Sequence, residues 1–89
     1  MKKIFRTNRF KKDVKKMKKS GKSFDVFKKV IQLLVQGEPL DEKFRDHKLS
    51  GNYVGTRECN IEPDWLLIYL DQDDELTLIR TGTHSDLFG

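Results

Sequence analysis

DWLLIYL, residues 64–70, decides the fold. Trp65 through Leu70 is the longest apolar run in the chain, far too short to span a membrane. Its aromatic and branched members predict a strand buried on both faces. Pro63, which has no N–H for a ladder, suits the strand entrance, and Asp71-Gln72-Asp73-Asp74 supplies a turn behind it. Across Asp71–Glu75 the chain returns through Leu76–Thr81, predicting a hairpin. Upstream, Tyr53–Glu58 and Cys59–Glu62 read as two more strands, and Lys3–Arg6 (KIFR) as a short β-prone opening.

Between that opening and the sheet the period changes to that of helices. Thr7 or Asn8 caps a first helix whose apolar stripe is Phe10, Val14 and Met17, ended by Ser20-Gly21. Ser23 is the expected cap of a second, lined by Phe24, Phe27, Val30, Ile31 and Leu34, with Val35 beside them and Gly37 as its stop. The short Ser20–Lys22 link favours an antiparallel helical hairpin. Residues 38–52 are polar and irregular, anchored by Leu40, Phe44 and Leu49. The order β-α-α-β-β-β predicts one α+β domain over residues 1–89, two helices packed on a small antiparallel sheet. Phe and Met at helical spacing are read as core.

Charge divides the chain in two. Residues 1–22 hold 11 Lys/Arg against Asp13 alone, a net of +10; residues 23–89 hold 7 against 13 acids, a net of −6. A basic arm on an acidic body points to a polyanion or an acidic partner, with a merely solvated helix face as the plain alternative. Lys11, Lys12, Lys15 and Lys16 head that arm. The single Cys59 excludes an internal disulfide and fits a reducing compartment. Two histidines and one cysteine lack finger-like spacing, so no structural zinc is expected. No apolar stretch follows the first lysines, so a soluble cytoplasmic protein without a signal peptide is the expectation.

Few residues here are equipped for chemistry. His47 and His84 titrate near neutrality and suit proton transfer; Arg57 and Arg80 carry forks that match phosphate oxygens. Cleavage of RNA by its own 2′-hydroxyl needs a base, an acid and a cation, and no metal or other cofactor. Each residue also has a structural reading. His47 reads as a loop histidine, His84 as support for the terminus and Asp64 as a turn residue. Arg57 and Arg80 can pair with Glu58, Glu62 or Asp86, and Phe88 can simply pack.

Taken together, DH-x-L-x-G at Asp46–Gly51, Arg57-Glu58, EPDW at Glu62–Trp65 and RTGTH ending in Leu87-Phe88 resemble the YafQ-like branch of the RelE superfamily. These are ribonuclease toxins of bacterial toxin–antitoxin modules. The resemblance implies cleavage of mRNA on the ribosome, restraint by an acidic antitoxin, and a toxin domain that is monomeric outside that complex. By motif, His47 falls on the family's loop histidine, Asp64 on its strand-mouth carboxylate, His84 on its C-terminal histidine and Phe88 on its terminal aromatic. Where the pattern carries another histidine, two residues before EPDW, this chain has Asn60, which cannot act as an acid or base but can bind phosphate or a base edge.

The assignment implied is His84 as general acid and His47, helped by Asp64, as general base. Arg57 and Arg80 would face the phosphate, and Phe88 would stack on a base. Two other functions fit the same residues. One is a non-catalytic RNA- or ribosome-binding module; the other is a toxin of this fold that inhibits a protein target. The spacing of Asp64 and Gly82 about the hairpin further predicts that His84 lies within reach of Asp64.

Overall fold

The computed structural model describes residues 1–89. A strand β1 (Lys3–Arg6) leads into helices α1 (Asn8–Lys19) and α2 (Asp25–Val35). A two-residue strand β2 (His47–Lys48) then opens a run of longer strands: β3 (Arg57–Glu62), β4 (Trp65–Asp71) and β5 (Glu75–Gly82). A five-residue helix, α3 (His84–Phe88), closes the chain. The α+β class is as the periodicity predicts.

The helices form for local reasons. The Thr7 side chain accepts the Phe10 N–H at 3.0 Å, and Lys16, Lys18 and Lys19 in the last turn complement the dipole of α1. Gly21 takes φ +79° just beyond its end, a conformation that favours glycine. Ser23 does not cap α2 as predicted. The cap position falls on Phe24, and Ser23 Oγ receives only the Asp25 N–H at 3.4 Å. Phe24 is drawn there by packing, its ring set edge-on to both Phe27 and Trp65 at 5.1 Å.

The five strands lie in the order β1-β5-β4-β3-β2. Every neighbour pair is antiparallel except β1 with β5, which run parallel from Lys3↔Glu75 to Arg6↔Leu78. The sheet is therefore mixed where an antiparallel one was expected. The crossover through α1 and α2 carries the chain from β1 at one edge to β2 at the other, and β3, β4 and β5 then fold back across the sheet until β5 lies beside β1 in the same direction. Of the expected strands Tyr53–Glu58 and Cys59–Glu62, only Arg57–Glu62 is strand, as the single β3; Tyr53 ends a 3-10 turn and Gly55 turns the chain at φ +90°.

Trp65–Tyr69 is buried on both faces, as predicted for the apolar run, while Leu70 is partly buried and Asp64 stands exposed before the strand. Trp65, Leu67 and Tyr69 join Phe10, Met17, Phe27, Val30 and Leu34 under the helices. Leu66 and Ile68 face the other way and pack with Leu87 of α3. The Trp65 ring stacks on Phe27 at 5.3 Å and donates its indole N–H to Thr81 Oγ1 at 2.9 Å. Removing that ring would cost about 3–5 kcal/mol by cavity formation. Cys59 lies in the same core, where burial pushes its thiol up to about 12, so it stays protonated and inert.

Candidate active site

Strand register assembles the site. His47 pairs with Glu58, Glu58 with Ile68 and Ile68 with Arg80, so one row crosses four strands on the face away from α1 and α2. The next row is Asn60, Leu66 and Gly82. Paired residues of antiparallel strands project to the same side, so His47, Glu58, Asn60 and Arg80 share one surface with α3.

Arg80 reaches this face only through a bulge. Leu78 pairs with Tyr69 and Arg80 with Ile68, which leaves Ile79 as an extra residue in β5. Simple alternation from Leu76 and Leu78 would turn Arg80 into the core; the bulge turns it out. Its guanidinium is then held by buried Asp13 of α1, with Nε to Oδ2 at 2.8 Å and Nη2 to Oδ1 at 3.2 Å. The Thr81 N–H adds a third bond to Asp13 at 3.1 Å. The bonds to Asp13 raise the Arg80 pKa, with a smaller contribution from the Tyr53 hydroxyl.

His84 stands at the start of α3. Gly82, at φ +157°, lets the chain leave β5, and a Cβ there would meet the Asp86 Cβ at 3.0 Å. Asp86 is close because it closes a capping box with Thr83, each side chain bonding the other's backbone N–H at 3.1 Å. The result brings His84 to Asp64 as expected. Asp64 Oδ1 accepts the His84 backbone N–H at 2.9 Å and faces its ring Nδ1 at 2.6 Å. These two bonds hold the Asp64 carboxyl below its usual range. With Nδ1 committed, Nε2 of His84 is the nitrogen left for a substrate. Both side chains are exposed.

His47 is fixed in the same manner by a different acceptor. Its Nδ1 lies 2.6 Å from the Arg45 carbonyl oxygen, so Nε2 faces Glu58 Oε1 at 3.5 Å. Asp64 therefore partners His84 and not His47, and the carboxylate beside His47 is Glu58. Sequence reading passed over Glu58 except as an arginine partner. The available signal was parity: a strand begun at Arg57 puts 57 and 58 on opposite faces. Glu58 is buried, its pKa is raised by desolvation, and no protein donor reaches its Oε2.

Other predicted residues disperse. Arg57 does not join the site: with Cys59 and Ile61 it points to the helix-covered side, where Nε donates to Asp46 Oδ1 at 3.1 Å. The sequence paired neither arginine with its actual acid. Lys16 reaches α3, its Nζ 2.6 Å from Asp86 Oδ1, whereas Lys11 and Lys15 rim a groove between α1 and α2. Lys12 is exposed. Phe88 is half-exposed and meets Tyr53 edge-on at 6.0 Å, an aromatic corner beside His84's helix.

The family model described as bacterial toxin of type II toxin–antitoxin system, YafQ, matches residues 2–89. The chain belongs to the YafQ family. Among its relatives is the mRNA interferase toxin YafQ of Escherichia coli K12, 40% identical over 84 residues, covering 93% of this chain and 91% of that one. YafQ folds of known structure superpose closely. The E. coli DinJ–YafQ complex gives a TM-score of 0.93 at 39% identity, with both chains fully covered. A copper-bound L66S mutant toxin from Helicobacter pylori gives 0.93 at 45% identity, covering 99% of this chain and 100% of its own. No helix of this YafQ-family chain is long and apolar enough to cross a membrane.

Proposed function

We propose that this YafQ-family toxin is an endoribonuclease that cleaves mRNA on the ribosome, in the cytoplasm, by metal-independent attack of the 2′-hydroxyl on the adjacent phosphodiester. One observation carries the reading. The His84 imidazole is tied through Nδ1 to Asp64 on an exposed rim, with Nε2 free, on the same open face as His47, Glu58 and Arg80. His47 Nε2, backed by Glu58, takes the 2′-hydroxyl proton. Arg80, steadied by Asp13, balances the charge of the phosphorane-like transition state. His84 Nε2 gives its proton to the departing 5′-oxygen, and Asp64 stabilises the ring while it is charged. Phe88 with Tyr53 offers a stacking surface to a base, and Asn60, one row from Glu58, offers an amide to a phosphate or base edge.

The products are a 2′,3′-cyclic phosphate and a 5′-hydroxyl. Mapping mRNA 5′ ends after induced expression tests the activity, and end-group analysis with and without chelator tests the chemistry. Recovery of 3′-hydroxyl ends, or a divalent-ion requirement while ribosomes stay intact, would overturn the route. Binding without cuts would favour the non-catalytic RNA-binding module.

The partner supported is an acidic antitoxin. The groove between α1 and α2 is apolar along Val14, Phe24 and Ile31, and Lys11, Lys15, Lys18 and Lys28 rim it. An amphipathic acidic segment fits both its floor and its rim. Lys11→Gln with Lys15→Gln should slow association with the antitoxin and weaken its salt dependence. An unchanged association rate would show that the antitoxin docks elsewhere.

A further inference from the structure

β2 is only two residues long, exposed and at the edge of the sheet, yet it carries His47. Two residue pairs with β3 are little to hold a general base in place, because short edge strands open locally at low cost. Beneath it, on the helix-covered side, Asp46 Oδ1 accepts the Tyr69 hydroxyl at 2.5 Å and the Arg57 Nε–H at 3.1 Å. Tyr69 is anchored in the core of β4. Burial and the Asp46 carboxylate raise its pKa, so the phenol keeps the proton it donates.

We propose that Asp46, pinned by Tyr69 and Arg57, is the positioning residue that holds His47 toward Glu58. Asp46 is the residue immediately before β2, so holding its side chain below the sheet fixes the chain's entry into the strand and with it the direction of His47 above. The arrangement ties β3, β4 and the residue leading into β2 at one oxygen atom. It also explains why Arg57, despite its fork, is not available to phosphate: its charge is spent on the loop. The inference rests on His47 being the base in the reaction above.

Tyr69→Phe tests it, because the change deletes one hydroxyl and leaves the ring in the core. Single-turnover cleavage should fall about 10- to 100-fold, the range expected when a catalytic group is displaced by around an ångström. RNA affinity should stay as it was. In a His47→Gln background the same change should have no further effect. Asp46→Ala, which removes the acceptor itself, should behave likewise with a larger fall, and should speed amide exchange at Leu49, whose N–H bonds the Thr56 carbonyl at 3.0 Å. Equal losses in both backgrounds would mean that Tyr69 serves stability alone. Full activity of Tyr69→Phe beside an inactive His47→Gln would overturn the anchor while keeping His47 as base. Full activity of His47→Gln would overturn both.

Discussion

Asp13–Arg80 and Asp64–His84 are two carboxylate–cation pairs at the same end of β5, and they differ in almost everything except chemistry. The first is buried, its side chains 10% and 13% exposed, and shares its carboxylate with a backbone N–H. The second stands in solvent, with 65% and 58% exposed. A buried pair must be complete, since losing one partner strands the other's charge. An exposed pair adds little to stability, so its geometry is explained by what the imidazole does. One pair is built into the frame; the other stands open to solvent.

The comparison breaks most sharply at His84. His84→Gln should lower cleavage by about 10²–10⁴-fold, the usual worth of a general acid. Its melting temperature should match the parent's in the same thermal scan. A variant that stays toxic at normal expression would move the exposed pair into the structural class.

Asp13→Ala should be the mirror image, losing about 3–5 kcal/mol in chemical denaturation because Arg80 is left buried without its carboxylate. Replacing both, as Asp13→Leu with Arg80→Met, should recover much of that stability and none of the cleavage. Recovery of cleavage as well would show that Arg80 has no part in the reaction.

Glu58 sharpens the contrast from a third position, as a buried carboxyl with no cation fully on it. Its pKa is higher folded than unfolded, so it favours the fold below the ordinary glutamate value and loses that contribution as pH rises toward the folded one. Glu58→Gln should therefore raise the melting temperature at neutral pH and flatten its pH dependence, while cleavage falls. A lower neutral-pH melting temperature would mean that Glu58 is held by bonds and not strained by burial.

The smallest effects per residue belong to the lysines. Changing Lys11, Lys12, Lys15 and Lys16 together to Gln should reduce the slope of log K against log salt for RNA. Restoring Lys12 and Lys16, on the α3 side, should recover more of the slope than restoring Lys11 and Lys15. Equal recovery would mean that the whole helix meets phosphate.

Much of the frame was legible because its signals are local. The apolar run 65–70, the stripes of α1 and α2, and the hairpin that brings Asp64 to His84 all follow from periodicity and a turn. What escaped depends on parity or on distant partners. Reading Tyr53–Glu58 as one strand lost the alternation that sends Arg57 under the sheet and Glu58 over it. The bulge at Ile79 reverses the parity that would bury Arg80, and nothing nearby in sequence announces it. Asp13 had a visible signal, as the one acid among the lysines, three residues from Phe10 on the buried side of α1. So did α3: Thr83-His84-Ser85-Asp86 is a capping box in plain view.

The parallel pairing of β1 with β5 has a consequence for synthesis. The first strand made finds its neighbour only in the last, with Ile4 opposite Leu76 and Arg6 opposite Leu78. Pairing over such a span is slow to form, and it waits until β5 has left the ribosome. Nascent chains arrested before Glu75 should accordingly be digested throughout by protease, and protection in such chains would refute this. His84 follows β5, so its bond to Asp64 forms later still. The sheet is therefore complete only once β5 has been made.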